Sequence, residues 1–267
     1  MTDLQILILS LIQGITEFLP VSSSAHLIIT SKFFGWADQG LAIDVAVHCG
    51  SLLAVIIYFW DYVKQGIGGG VDIIKKKQSD DASFTILIII STIPVVIIGF
   101  LLKDIIAGSF RQDNIVFVIA VTSIVFGALL WLADYATPTF SKVENLNYKH
   151  GIFLGCMQVI ALIPGVSRSG ICMTAARLLG MERPDSAKLS MLMGMPTLFA
   201  ASLLIGFDIY STDDIIFHYG IMLAVIISFL VAYITIGSMM KLLKHFSMAI
   251  FASYRILLGI ILLVYFV

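Results

Sequence analysis

Apolar residues run along this chain in long stretches, and two of those stretches are interrupted. Six are unbroken and predict membrane-spanning helices, at roughly 41–61, 84–104, 114–134, 186–207, 217–238 and 248–267, each near the roughly 20 residues a helix needs to cross hydrocarbon. Two more, 4–34 and 151–179, are broken in the middle by Pro20-Val21-Ser22-Ser23-Ser24 and by Pro164-Gly165-Val166-Ser167-Arg168-Ser169. Proline removes a backbone donor and disfavours helix in the residue before it, so each segment predicts helix, break, helix. The halves are only about 13–18 residues, short for a full crossing. Each pair is therefore expected to enter and leave by one face, as a re-entrant hairpin. Broken backbone at membrane depth survives only where it is buried in protein or lines a wet cavity.

The order of the segments predicts a duplication. A broken segment and three spans are followed by a broken segment and three spans. Gln13 precedes Pro20 by seven residues, Gln158 precedes Pro164 by six, and both prolines lead into Val-Ser-x-Ser. Three spans is an odd number, so the second copy is inverted relative to the first. The expectation is one all-α polytopic membrane domain over 1–267, with six transmembrane helices and two re-entrant helix-break-helix hairpins in an inverted repeat of about 1–135 and 148–267. Paired broken helices in inverted repeats point to a site near the midplane at the repeat interface. Loop charge agrees. Lys64, Lys75, Lys76, Lys77, Lys142, Lys149, Arg177, Arg183, Lys188, Lys241 and Lys244 fall on one side, and only Lys32, Lys103 and Arg111 on the other. By the positive-inside rule the first side is cytoplasmic and both termini are outside, with Asp208, Asp213 and Asp214 in an outer loop.

Composition narrows the class. Of 267 residues 59% are apolar and 12% charged, and the mean hydropathy is +1.02, against about 45–50% apolar and about 25% charged in soluble domains. A net charge of −1 argues against a nucleic-acid partner. Cys49, Cys156 and Cys172 have no metal-ligand or CxxC spacing and read as buried thiols. Asp3 in place of a basic n-region, and no small-x-small site, argue against a cleavable leader.

Charge inside the apolar segments is the chemical signal, since a charged side chain at the bilayer centre costs about 2.5–3.5 kcal/mol on insertion scales. Glu17, His26 and Arg168 all fall at the breaks. Gln13 and Glu17 are i and i+4, so they project from one helix face. Their oxygens either hold a hard divalent cation such as Mg2+ or Ca2+ or, for Gln13, form a polar seam between helices. After the first break Ser22, Ser23 and Ser24 open a half-helix whose N–H groups and dipole suit an anion. His26 lies within one turn of them, and a serine beside a histidine suits nucleophilic catalysis or proton transfer. The alternative is a capping cluster and a surface histidine. At the second break Ser167, Arg168 and Ser169 start another half-helix, with Thr174 beyond. The planar fork of arginine matches phosphate oxygens; the alternative is an Arg168–Glu17 ion pair that only locks the two repeats. Arg255, roughly 12 Å into the last span, either joins the site or snorkels to the cytoplasmic face. His48, one turn after Asp44, reads as an interface pair. Together these groups describe a site for a phosphate ester carried by a lipid.

At these residues the chain resembles the undecaprenyl-diphosphate phosphatase family, the bacterial membrane enzymes linked to bacitracin resistance. Gln13 through His26 is similar to the family's first motif and Pro164 through Thr174 to its second, with supporting blocks at Asp44–Phe59, Leu189–Pro196 and Tyr254-Arg255. Ser190-Met191-Leu192-Met193-Gly194-Met195-Pro196 is a looser copy of the family block. The resemblance implies removal of the terminal phosphate of undecaprenyl diphosphate, a divalent cation, membrane lipid surroundings and a site open to the outer face of the bacterial inner membrane. It implies catalytic roles for Glu17, Ser23, His26 and Arg168 and a cation at Glu17 and Gln13. Substrate contacts are expected from Ser22, Ser24, Ser167, Ser169, Thr174 and Arg255, and a homodimer is carried as an expectation. The rival reading is a polyprenyl-phosphate transporter or flippase, because inverted repeats are also transporter architecture.

Overall fold

The computed structural model describes residues 2–36, 40–109, 114–140, 143–209 and 215–266. Arg111, Lys142, Asp213 and Asp214, counted above, lie outside the described residues. The described residues form twelve α-helices, a 3-10 turn at Val143–Asn145 and no β-strand. The helices are α1 Asp3–Thr16, α2 Ser23–Phe33, α3 Leu41–Tyr58, α4 Trp60–Ile74, α5 Asp80–Leu101 and α6 Lys103–Ser109, then α7 Ile115–Ala136, α8 Tyr148–Ile160, α9 Arg168–Leu178, α10 Arg183–Ile209, α11 Ile215–Leu242 and α12 Ala249–Phe266.

Among the described residues four stretches, Asp80–Leu101, Ile115–Ala136, Tyr219–Leu242 and Ala249–Phe266, are long and apolar enough to cross a bilayer. α3 and α4 pass that test only together, and they meet at an 84° bend. The bend falls at Phe59, where the backbone leaves helical geometry (φ −106°, ψ 35°). The first predicted span thus ends in a sharp corner, and the expected 62–83 loop is largely helix. α10 covers the predicted 186–207 span, with Arg183, Asp185 and Lys188 in its first two turns and Pro196 in its interior.

Both predicted breaks are present. α1 and α2 have 14 and 11 residues, and α8 and α9 have 13 and 11. At about 1.5 Å per residue none spans the roughly 30 Å of hydrocarbon. α1 opens on a reciprocal cap, with Thr2 Oγ1 accepting from Gln5 N and Gln5 Oε1 accepting from Thr2 N; α8 opens likewise on Asn147 and His150. Each cap satisfies two donors that a helix start leaves unpaired. α1 packs on α11 and α8 on α5, with α3 against α11 and α7 against α12. Of the cysteines only Cys172 is buried; Cys49 is half-buried and Cys156 exposed on α8.

A second buried charge cluster ties α7, α9, α10 and α12 at the end of α9 away from the breaks. Asp134 accepts from Arg177 Nε at 3.0 Å, Arg183 Nε at 2.8 Å and the Met248 amide at 3.1 Å. Arg177 also donates to the carbonyls of Asp134, Thr137 and Met181. Two arginines counted toward loop charge are therefore structural. Asp134→Asn leaves the Arg177 guanidinium buried without its countercharge, and removing one partner of such a pair costs about 3–5 kcal/mol. The expected result is a lowered midpoint of thermal unfolding in detergent, and an unchanged midpoint refutes it.

Candidate active site

The two breaks meet, and each presents its functional groups through the same local device. α1 stops at Thr16, and the Glu17 amide still donates to Gln13 O at 2.9 Å, so Glu17 stays on the Gln13 face. The chain then turns through Pro20 into Ser22, whose φ of 73° lies in the left-handed region. Its hydroxyl accepts from the Ala25 amide and caps α2. Ser167 has the same φ of 73° and caps α9 by accepting from the Gly170 amide at 3.1 Å. Such a conformation costs a non-glycine residue of order 1–3 kcal/mol; here a glycine would relieve the backbone but forfeit the cap. Gly165, with φ 85°, supplies the preceding turn, and a Cβ there would strike the Thr122 hydroxyl.

Glu17 is the hub. Its side chain is 6% exposed, and Arg168 Nη2 donates to Oε1 at 2.8 Å. Ser23 Oγ donates to Oε2 at 2.7 Å and Gln13 Nε2 at 2.8 Å. The Arg168–Glu17 pair weighed as a structural lock therefore exists, between residues 151 positions apart. Arg168 Nη1 also donates to Ser190 O at 3.2 Å, and its guanidinium lies against Gly194, where any Cβ would overlap it. The loosely copied Ser190–Pro196 block thus cradles the arginine, which sequence had left as a packing question. Ser169 Oγ donates across the breaks to Leu19 O at 2.8 Å and lies 3.1 Å from Ser167 Oγ. Ser24 lies 3.3 Å from Ser22 Oγ, while the Thr174 hydroxyl is spent on Gly170 O at 2.8 Å.

Three expectations change. First, His26 does not bond to a seryl hydroxyl. Its Nδ1 lies 2.7 Å from Ser22 O and its Nε2 2.6 Å from the Tyr254 hydroxyl, so Ser23 pairs with Glu17 instead. Because a carbonyl oxygen only accepts, Nδ1 carries a hydrogen, and Tyr254 donates to the Nε2 lone pair of the neutral ring. Tyr254 was legible only as a supporting block. Second, Arg255, left open between joining the site and snorkelling, does not snorkel. It is fully buried, and its guanidinium donates to Gly165 O at 3.0 Å and Val166 O at 2.8 Å, with Pro20 O at 3.5 Å. One side chain thus gathers carbonyls from both breaks, where the negative ends of two half-helices lie. Third, His48 is not confined to an interface pair. Its Nδ1 is held by Asp44 O, and its Nε2 lies 3.6 Å from Glu17 Oε2.

The arrangement does not fit a ready-made cation cage. The groups within hydrogen-bond distance of Glu17 are donors, and Gln13 turns its Nε2 toward Glu17 while its Oε1 is buried without a partner. Among the described residues no three His, Cys, Asp or Glu side chains converge to hold a metal ion. What converges is suited to an anion, namely Arg168 and the N-terminal turns of α2 and α9, whose first N–H groups lack intrahelical acceptors, beside a carboxyl group that accepts from the Ser23 hydroxyl.

A polar centre built from two chain breaks inside an apolar helical body defines a multi-pass membrane protein with an internal site. Residues 6–261 match the family described as bacitracin resistance protein BacA, and the chain belongs to that family. It is 44% identical over 261 residues to a protein of Alcanivorax borkumensis named undecaprenyl-diphosphatase, covering 97% of each chain. It is 43% identical over 264 residues to one of the same name from Alteromonas mediterranea, covering 98% of each.

Proposed function

We propose that this protein removes the terminal phosphate of undecaprenyl diphosphate and returns the monophosphate carrier to the synthesis of peptidoglycan and other surface polymers, so conferring bacitracin resistance. The observation that carries the reading is the buried contact of Glu17 with both Arg168 and Ser23. One carboxylate, the base, is shared by a phosphate-binding fork and a nucleophile, and the names of the two relatives supply the substrate. The carrier reading draws no such support from those names.

In this reading Arg168 leaves Glu17 Oε1 and places its fork on the terminal phosphate, while the first-turn amides of α2 and α9 hold further oxygens. Losing the Arg168 cation makes Glu17 a stronger base. It takes the Ser23 proton along the hydrogen bond already formed, and Ser23 Oγ bonds to the terminal phosphorus. The bond from that phosphorus to the bridging oxygen breaks, and undecaprenyl phosphate departs as a stable anion with the electron pair. Water then attacks the seryl phosphate. The Tyr254 hydroxyl takes a proton from the water and passes its own to His26 Nε2 along the hydrogen bond already formed, and Ser23 Oγ leaves with the proton held on Glu17. Tyr254 sets the His26 ring, so Tyr254→Phe is expected to slow kcat about tenfold, within the range for a positioned acid or base, with the loss in phosphoenzyme breakdown. A normal breakdown rate in rapid-quench kinetics refutes this role.

Purified protein in detergent should release inorganic phosphate from undecaprenyl diphosphate and yield a labelled phosphoserine at Ser23. No phosphate release from the wild type sinks the reading, and a near-normal rate for Ser23→Ala sinks the seryl route. The divalent cation enters this reading as a companion of the diphosphate, and no step above runs through it; activity in excess chelator reads whether it is needed.

The six-span inverted repeat with two re-entrant hairpins, seated in the inner membrane with the site toward the outer face, belongs to the same proposal. Equal φ at Ser22 and Ser167, matching serine pairs two residues apart, and the crossed packing of α1 on α11 and α8 on α5 support it. Cysteine labelling at 62–83 and 208–216 should report opposite sides; the same side overturns it.

A further inference from the structure

We propose that His48, which the mechanism above leaves unused, is a positioning residue: it donates an Nε2–H to Glu17 and holds the carboxylate aimed at Ser23 when Arg168 turns to the substrate. The inference rests on the phosphatase reading and adds a residue to the same site. His48 stands on α3, which belongs to neither break. Its Nδ1 lies 2.6 Å from the Asp44 main-chain oxygen, an acceptor only, so Nδ1 carries a hydrogen and the ring is pinned. That pinning directs Nε2 at Glu17 Oε2, 3.6 Å away. A bare lone pair there would face a carboxylate oxygen and repel it, so the attractive state has a hydrogen on Nε2 as well. The separation exceeds a direct hydrogen bond and is closed by a small ring movement or one bridging water.

The need arises on the other side of Glu17. Arg168 is its partner on Oε1, and in turnover that partner goes to the phosphate. Gln13 and Ser23 both address Oε2, and Ser23 gives up its hydrogen in the first step. Gln13 alone would then hold a carboxyl group that is almost sealed from water. The His48 side chain, 30% exposed, approaches from the open side and supplies the donor that stays. A misaim of about 1 Å in such a group can cost about a hundredfold in rate.

The test compares His48→Leu with His48→Gln, which restores an N–H donor of similar reach, using the full chain in detergent and phosphate release from undecaprenyl diphosphate. The Leu variant should lose about 30-fold or more in kcat at nearly unchanged KM, the Gln variant should stay within about fivefold of wild type, and both should melt with the wild type. His48→Met replaces the Leu variant should that one fail to fold. A wild-type rate in the Leu or Met variant overturns the inference, as does a Gln variant as slow as Leu, or a loss that falls on KM alone. Wild-type protein that releases no phosphate overturns the phosphatase reading instead and takes this inference with it.

Discussion

Glu17→Gln is expected to abolish nearly all turnover, by about 10³-fold or more in kcat, toward the upper part of the range for loss of a positioned base. The substitution keeps the side chain's length and removes its charge. Ser23 then faces an amide that cannot accept its proton, and Arg168 loses the anion 2.8 Å from its Nη2. Two consequences separate this from simple unfolding. The variant should still bind undecaprenyl diphosphate, because Arg168, released from its partner, is freer to grip phosphate. It should also form no phosphoserine at Ser23 in a rapid quench. A variant within tenfold of the wild-type kcat would remove Glu17 from the chemistry and leave the Arg168 pair as a structural lock.

Arg168→Lys is expected to lose about 10²–10³-fold in kcat, the range for removing one preorganised donor from a developing oxyanion, and to raise KM as well. Lysine keeps the positive charge but not the fork. Arg168 reaches Glu17 with one nitrogen and Ser190 O with the other, flat against Gly194. A single ammonium cannot hold both or present two parallel N–H groups to a phosphate. Gly194→Ala should reproduce much of the defect without touching the charge, because its Cβ occupies the guanidinium's place. Steady-state kinetics on both variants check this; a fully active Arg168→Lys would mean that charge alone is used.

What sequence could read was periodicity and cost. Prolines followed by serines gave both breaks, and the expense of burying Glu17 and Arg168 marked both for one site, with their direct pairing only an alternative. Helical spacing was a poorer guide to individual hydrogen bonds. It brought His26 near Ser22 and Ser23, but the left-handed Ser22 turns its carbonyl toward Nδ1 and sends Nε2 away to Tyr254, 228 positions along the chain. The same spacing put Gln13 and Glu17 on one face and could not say that the amide, rather than the oxygen, would point at the carboxylate. Charge counting treated Arg177 and Arg183 as loop residues because their acceptor, Asp134, lies on another helix. The α3–α4 corner has no proline or glycine at Phe59 to announce it.

Arg255 ties the start of the chain to its end. Its fork gathers carbonyls at positions 20, 165 and 166, and its neighbour Tyr254 sets the ring of His26. During synthesis, then, the first hairpin can enter the bilayer early but keeps an unfinished interior until the final helix leaves the ribosome and docks beside it. A nascent chain arrested before that helix would carry every residue of both motifs and leave those carbonyls without the fork that gathers them.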